Sequence, residues 1–320
     1  MLPLPFPTII NGKNGAISFS RHRDQIKGCV LVPPDASVPV VVPVRSGTGN
    51  GQSAAIIIES PSDAWVEVFS LIGLNGASVN ADVIARQCVS ISTYINGQRR
   101  HMKFPINVTH VFGTNLNPCF LDDPYSEPLI LPPQSIIRMV FTNPSTAGET
   151  DFSFSLGARK IMLKAIAEDP RLKSELDALY KRRQKIYPMW MPLGSQPGST
   201  PLGVPGVTIP AAGYANVFFE ADNIFTGEFV ITRIMASALT EGTPATDMFE
   251  LTLFDAKTDR VLTNQPVIAT CLGGTAAFPM NLPTPIIVGQ NMNIRAQFKN
   301  LVANGTTDVF CSLQGFGVEK

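Results

Sequence analysis

The chain has 320 residues and a formal net charge of zero, with 16% charged residues, 44% hydrophobic residues and 27 prolines. The charge balance gives no global pull toward nucleic acid or an anionic membrane, and no apolar run reaches the eighteen or so residues that span a bilayer. The length admits two ordinary domains, and so low a charge suggests surface that neighbours cover.

The chain begins MLPLPFPTII. This stretch lacks the basic start of a signal peptide and carries prolines where an apolar helix would be needed, so residues 1–14 read as an extended arm. Next comes the most basic patch, Arg21, His22, Arg23 and Lys27. It suits a solvated or subunit-contacting arm, with contact to a phosphate backbone as the alternative. The five cysteines (Cys29, Cys88, Cys119, Cys271, Cys311) are odd in number and form no CxxC pair, so buried free thiols made in a reducing cytoplasm are expected.

From there short apolar–polar alternations dominate. AWVEVFSLIGL reads as a strand, and CVSISTYINGQRRHMKF as a hairpin turning at Asn96-Gly97. SIIRMVFTN and DFSFSLGA read as paired hairpin strands across the turn PSTAGET. One helix is expected in EDPRLKSELDALYKRRQKIYP. Asp169 would cap it, Pro170 would take its first position and Pro188 would stop it, with Leu172, Leu176, Leu179 and Ile186 as its apolar stripe. A Pro/Gly/Ser-rich linker follows, then a second series of strands.

That second series repeats the first. Pro128 to Leu156 matches Pro285 to Leu313 at a constant offset of 157, with eleven of 29 positions identical. The identities include Ile137/Ile294, Arg138/Arg295, Phe141/Phe298, Asn143/Asn300, Gly148/Gly305, Thr150/Thr307, Asp151/Asp308 and Ser155/Ser312. Upstream the offset becomes 161, pairing Arg99 with Arg260, Pro105 with Pro266 and Pro118 with Pro279, and the four-residue difference falls in DDPYSEP. Farther back, Val89, Ile91 and Thr93 face Phe249, Leu251 and Leu253. Loops tolerate such insertions and strands do not.

The expected architecture is therefore all-β: two tandem antiparallel β-sandwich or jelly-roll domains from an internal duplication. The expected boundaries are an arm over 1–14, a sandwich over 15–160, a helical linker over 161–204 and a second sandwich over 205–320.

No chemical motif emerges, and no catalytic, cofactor-binding or metal-ligating residue is assigned. His22, His101 and His110 are the only histidines, and the last two fall on opposite strand faces. Asp122, Asp123 and Glu127 could approach a cation, but the second copy has NLPTP in that loop, so an Asx turn is the simpler reading. The sequons at Asn107 and Asn304 read as coincidence. Arg138 and Arg295 read as structural residues, each able to pair across a hairpin with Asp151 or Asp308. Trp65 and Trp190, in a strand and in the linker, are not duplicated.

Arg260, Leu262, Pro266, Val267, Gly274, Thr275, Pro279, Pro285 and the closing Leu313-Gln314-Gly315-Phe316 resemble a β-sandwich module of virion structural proteins from double-stranded DNA bacteriophages. The first copy keeps Arg99, Pro105, Gly113, Thr114 and Pro118, but has SLGARK where the final motif would stand. The resemblance implies a non-enzymatic capsid, capsid-decoration or neck component residing in the virion. It would self-assemble, a trimer being favoured, and contact other virion proteins without cofactor, clear nucleic-acid contact or membrane span. A duplicated jelly roll is also the plan of double jelly-roll coat proteins. The rival class is a carbohydrate-binding or receptor-binding adhesive sandwich.

Overall fold

The computed structural model describes residues 26–31, 40–42, 52–75, 90–98, 101–102, 106–112, 119–120, 129–143, 150–193, 206–220, 227–240, 243–244, 249–263, 265–274, 280–289 and 292–319. The arm, Arg21–Arg23, and the loop holding Asp122, Asp123 and Glu127 lie outside these residues.

The first strands are β1 (Ile26–Leu31), β2 (Val40–Val42), β3 (Gln52–Glu59), β4 (Ala64–Asn75), β5 (Ser90–Ile95), β6 (Ile106–Asn107), β7 (Cys119–Phe120), β8 (Leu129–Leu131), β9 (Ile136–Asn143) and β10 (Thr150–Met162). They form one sheet in the order β1-β10-β4-β7, with β2 on β10 and β8 on β4, and a second in the order β3-β9-β5-β6. All pairings are antiparallel. A six-stranded and a four-stranded sheet connected in this order make a jelly-roll sandwich. Val66, Val68 and Leu156 of one sheet meet Ile58, Ile137 and Phe141 of the other in a single buried core. Within it Phe141 and Phe154 lie 5.4 Å apart, ring to ring.

Two helices follow, α1 (Leu163–Glu168) and α2 (Pro170–Lys185). Asp169 Oδ1 accepts from the Arg171 and Leu172 amides at 2.9 and 3.3 Å, so the expected cap and Pro170 are in place. The sequence reading missed α1, whose amino end carries no side-chain cap. It also ran the helix too far. Lys185 ends it, and Ile186 opens a strand in extended backbone two residues ahead of Pro188. Ala165, Ile166, Leu172, Leu176 and Leu179 bury against Ile130 and Ile161, so the helices cover the outer face of the first sheet. Beneath them Arg159 donates to Glu67 at 3.2 Å.

The second series is β11 (Ile186–Leu193), β12 (Gly206–Ile209), β13 (Tyr214–Glu220), β14 (Glu228–Thr240), β15 (Thr243–Pro244), β16 (Phe249–Asp255), β17 (Arg260–Val261), β18 (Val267–Ile268), the short helix α3 (Ala269–Leu272), β19 (Asn281–Val288), β20 (Asn293–Asn300) and β21 (Thr307–Val318). Its sheets are β11-β21-β14-β15, with β12 on β21 and β19 on β14, and β13-β20-β16-β17, with β18 on β16. The order repeats that of the first sandwich for β11, β21, β14 and β19 and for β13, β20, β16 and β18, while β15 and β17 have no counterpart strand among the described residues.

Register repeats as well. Ile91 faces Phe141 as Leu251 faces Phe298, and Arg138 sits opposite Ile57 and Tyr94 as Arg295 sits opposite Phe218 and Phe254. β19 does alone what β7 and β8 do together, pairing with β14 as they pair with β4. The four-residue insertion seen in the sequence falls between β7 and β8.

β4 and β14 even share an irregularity. Opposite β10 the register steps over Phe69, and opposite β21 it steps over Thr232. Such a bulge shifts the alternation by one residue. As a result Phe229 and Ile231 before it, and Ile234, Ala236 and Ala238 after it, all reach one core. A methyl at Gly315, beside this bulge, would collide with the Val230 carbonyl.

One expectation fails. SIIRMVFTN and DFSFSLGA are not hairpin partners, because β9 and β10 lie in opposite sheets, as β20 and β21 do. In the second sandwich residues 301–306, between β20 and β21, cross from one sheet to the other.

Candidate functional site, the joint between the two sandwiches

β11 has two partners, which its sequence, IYPMWMPL, anticipates by being apolar on both faces. Tyr187, Met189, Met191 and Leu193 enter the second core. Trp190, of opposite parity, enters the core of the first sandwich and is 3% exposed. The linker position expected for Trp190 is thus a strand. Its prolines fit because β11 is an outer strand of its sheet, where a missing amide costs little. Backbone contacts fasten the same strand to the first sandwich: the Trp190 amide donates to the His101 carbonyl at 2.9 Å, and Met102 bridges Trp190 in parallel. Pro188 O lies 2.6 Å from His101 Nδ1. A carbonyl only accepts, so that nitrogen carries the proton.

A second fastening comes from a 3₁₀ turn, Val108–His110. Asn107, 1% exposed, caps it by accepting from the Thr109 amide and hydroxyl at 2.9 and 2.7 Å. Burial of Asn107 thus keeps the side chain of the first sequon from solvent. The turn also aims His110 at the second sandwich, where Nε2 lies 3.0 Å from Ser237 Oγ and Nδ1 2.9 Å from Ser312 Oγ. One ring nitrogen donates and the other accepts, and a hydroxyl serves either role. Complete burial pushes the His110 pKa down to about 3, so the ring is neutral. The joint is therefore hydrogen-bonded without an ionised histidine.

A cavity of about 140 Å³ flanks this joint, lined among others by Asn96, Gln98, His101, Tyr180, Gln184 and Tyr187. Tyr180 meets Trp65 edge-on at 5.2 Å, and the Tyr187 hydroxyl donates to Glu319 at 3.2 Å. Among the described residues no three His, Cys, Asp or Glu side chains group to hold a metal. Cys311 is buried, which pushes its thiol up to about 12, whereas Cys271 is exposed, contrary to the expectation of buried thiols.

Of the two repeated arginines, Arg295 does not pair with Asp308 as expected. Arg295 donates to Asp259 at 3.0 Å and lies 4.1 Å over the Phe254 ring, while Asp308 accepts from Thr208 at 2.6 Å. β20 and β21 belong to different sheets, which keeps Arg295 from Asp308. His101 and His110 both reach the joint, one through Pro188 and the other through the two serines. Nothing in their spacing signals this, although Ser312 is one of the repeated positions.

No protein-family model matches the chain, and no curated protein matches it. Among solved structures, the major capsid protein P2 of bacteriophage PM2 is 8% identical, with 91% of this chain and 98% of that one covered and a TM-score of 0.36. A triple jelly-roll protein of an archaeal virus is 12% identical over 92% of this chain and 60% of its own, at a TM-score of 0.23. The tandem CBM51 modules of a family 98 glycoside hydrolase from Streptococcus pneumoniae are 11% identical over 90% and 93%, at 0.22. These are coarse likenesses, and function is read from the chain's own geometry.

Proposed function

We propose that the protein is a structural component of a bacteriophage virion, a capsid, capsid-decoration or neck subunit that acts through contacts with copies of itself and with other virion proteins. In this reading one jelly roll was duplicated in tandem, the protein is made in the host cytoplasm and it assembles as a trimer. The supporting observation is the joint: two jelly rolls of one strand order, locked by Trp190, His101 and His110 into one block. A block of this kind presents broad sheet faces at a fixed mutual angle, which is what repeated subunit contacts require. Both nitrogens of the buried imidazole are occupied and the Cys311 thiol is inert, which supports a mechanical role over a catalytic one.

The rival sugar-binding reading calls for exposed aromatic platforms. Trp190 is buried, and Trp65 is partly buried and engaged by Tyr180. Two assays separate the readings. Mass spectrometry of purified phage particles should find the chain in stoichiometric amounts. Its absence from particles, together with selective retention on a glycan array, would replace this proposal with the adhesive one.

A further inference from the structure

Ile130 of β8 and Ile287 of β19 hold the same place in the two sandwiches. Ile130 faces Glu67 and Glu67 faces Arg159, as Ile287 faces Val230 and Val230 faces Phe316. Nearby, Trp65 faces Ile161 as Glu228 faces Val318. All of these side chains lie on the outer face of their sheet, because Val66 and Phe229, which alternate with them, enter the cores.

In the first sandwich this face is covered. Leu172, Leu176 and Leu179 of α2 pack against Ile130 and Ile161, which are 5% and 2% exposed, and Glu67 and Arg159 are buried as an ion pair. In the second sandwich the same places are open to solvent. Ile287 is 58% exposed, and Val230, Phe316 and Val318 are half-buried. α2 ends at the rim of this face, where the Lys185 carbonyl accepts from the Glu319 amide at 2.8 Å. Val230 and Phe316 also stand where the first sandwich has its ion pair, so the open face has the more apolar centre. Covering such a face is favourable.

The first sandwich shows what fits there. Leu172, Leu176 and Leu179, at i, i+4 and i+7, form one helical stripe laid across the sheet. The rim shows how a second occupant would differ. Where Trp65 meets Tyr180 of α2 edge-on at 5.2 Å, the second sandwich has Glu228, whose carboxylate has no partner among the described residues. A cation at the place that Tyr180 holds would complement it. The apolar stripes of α1 and α2 are already engaged on the first sandwich.

We infer that this face of the second sandwich takes an amphipathic helix from another protein, its aliphatic stripe on Val230, Ile287 and Phe316 and a lysine or arginine beside Glu228. The inference deepens the assembly reading by naming a partner element, and it rests on that reading only for the partner's being a virion protein.

A benzophenone-bearing phenylalanine at position 287 of the full chain, crosslinked in the cells that produce the protein, tests it. The same analogue at position 216, exposed on the other sheet, is the control. Peptide mapping should find at 287, and not at 216, one segment of another protein with apolar residues at i, i+4 and i+7 and a basic residue among them. Adding Glu228→Lys should lower the yield of that adduct about fivefold. Capture of this chain's own residues, of a segment without that spacing, or of nothing would overturn the inference, as would an adduct indifferent to Glu228→Lys. The expected adduct on a chain that is absent from purified particles would overturn the assembly reading and support this one.

Discussion

His110 of the first sandwich and Ser312 of the second, 202 positions apart, lie within 2.9 Å of each other through Nδ1 and Oγ, with Ser237 closing the other side of the ring. Because burial holds the His110 pKa at about 3 and the unfolded ring titrates near 6.5, the unfolded chain binds the extra proton between those values. The joint's contribution is full above about pH 6.5 and falls as pH drops toward 3, with a slope of up to about 1.4 kcal/mol per pH unit. Urea unfolding from pH 7 to 4 should show this decline, and His110→Asn should flatten it while lowering stability at pH 7. Parallel profiles for the two proteins would remove His110 from the account.

Trp190 should be the costliest single truncation at the joint. It fills the first core from a strand of the second sheet pair, so Trp190→Ala removes contact and leaves a cavity, at about 3–5 kcal/mol. A rigid joint also predicts one cooperative unfolding transition in the parent chain and two separated transitions in the variant. Calorimetry distinguishes these outcomes.

Asn300 explains one of the repeated positions. Its side chain donates to the Ile209, Pro210 and Gly305 carbonyls and accepts from the Val302 amide and the Thr307 hydroxyl, all at 1% exposure. Asn300→Ala would strand those groups, so a loss of about 2–4 kcal/mol is expected in denaturant unfolding. Thr307→Val removes a single partner and should cost less.

Thiol chemistry checks the burial pattern. Cys271 is exposed and Cys311 is buried with its thiol pushed up to about 12. Brief iodoacetamide treatment followed by peptide mapping should modify Cys271 and spare Cys311 until denaturant is added. Early modification of Cys311 would contradict the packing of β21.

Much of the fold was legible because two stretches of the sequence run in parallel, position for position. The offsets of 157 and 161 anticipate the shared register, and the four-residue step falls between the segments that form β7 and β8. Three features escaped for physical reasons. β11 carries two prolines and no alternation, since both of its faces are buried, so it reads as linker. β9 and β10 look like a hairpin because a short turn joins them, but alternation does not say which sheet a strand enters. The joint was invisible because His101, His110, Ser237 and Ser312 converge only through tertiary contact. Serine and histidine scattered along strands carry no period.

Cryo-electron microscopy and native mass measurement of the purified full chain test the central claim most directly. A particle subunit should appear as trimers or larger regular assemblies, with two sandwiches per subunit fixed at one mutual angle. A monomer that persists at the highest attainable concentration, with the two sandwiches taking variable angles, would contradict both the assembly reading and the rigid joint beneath it.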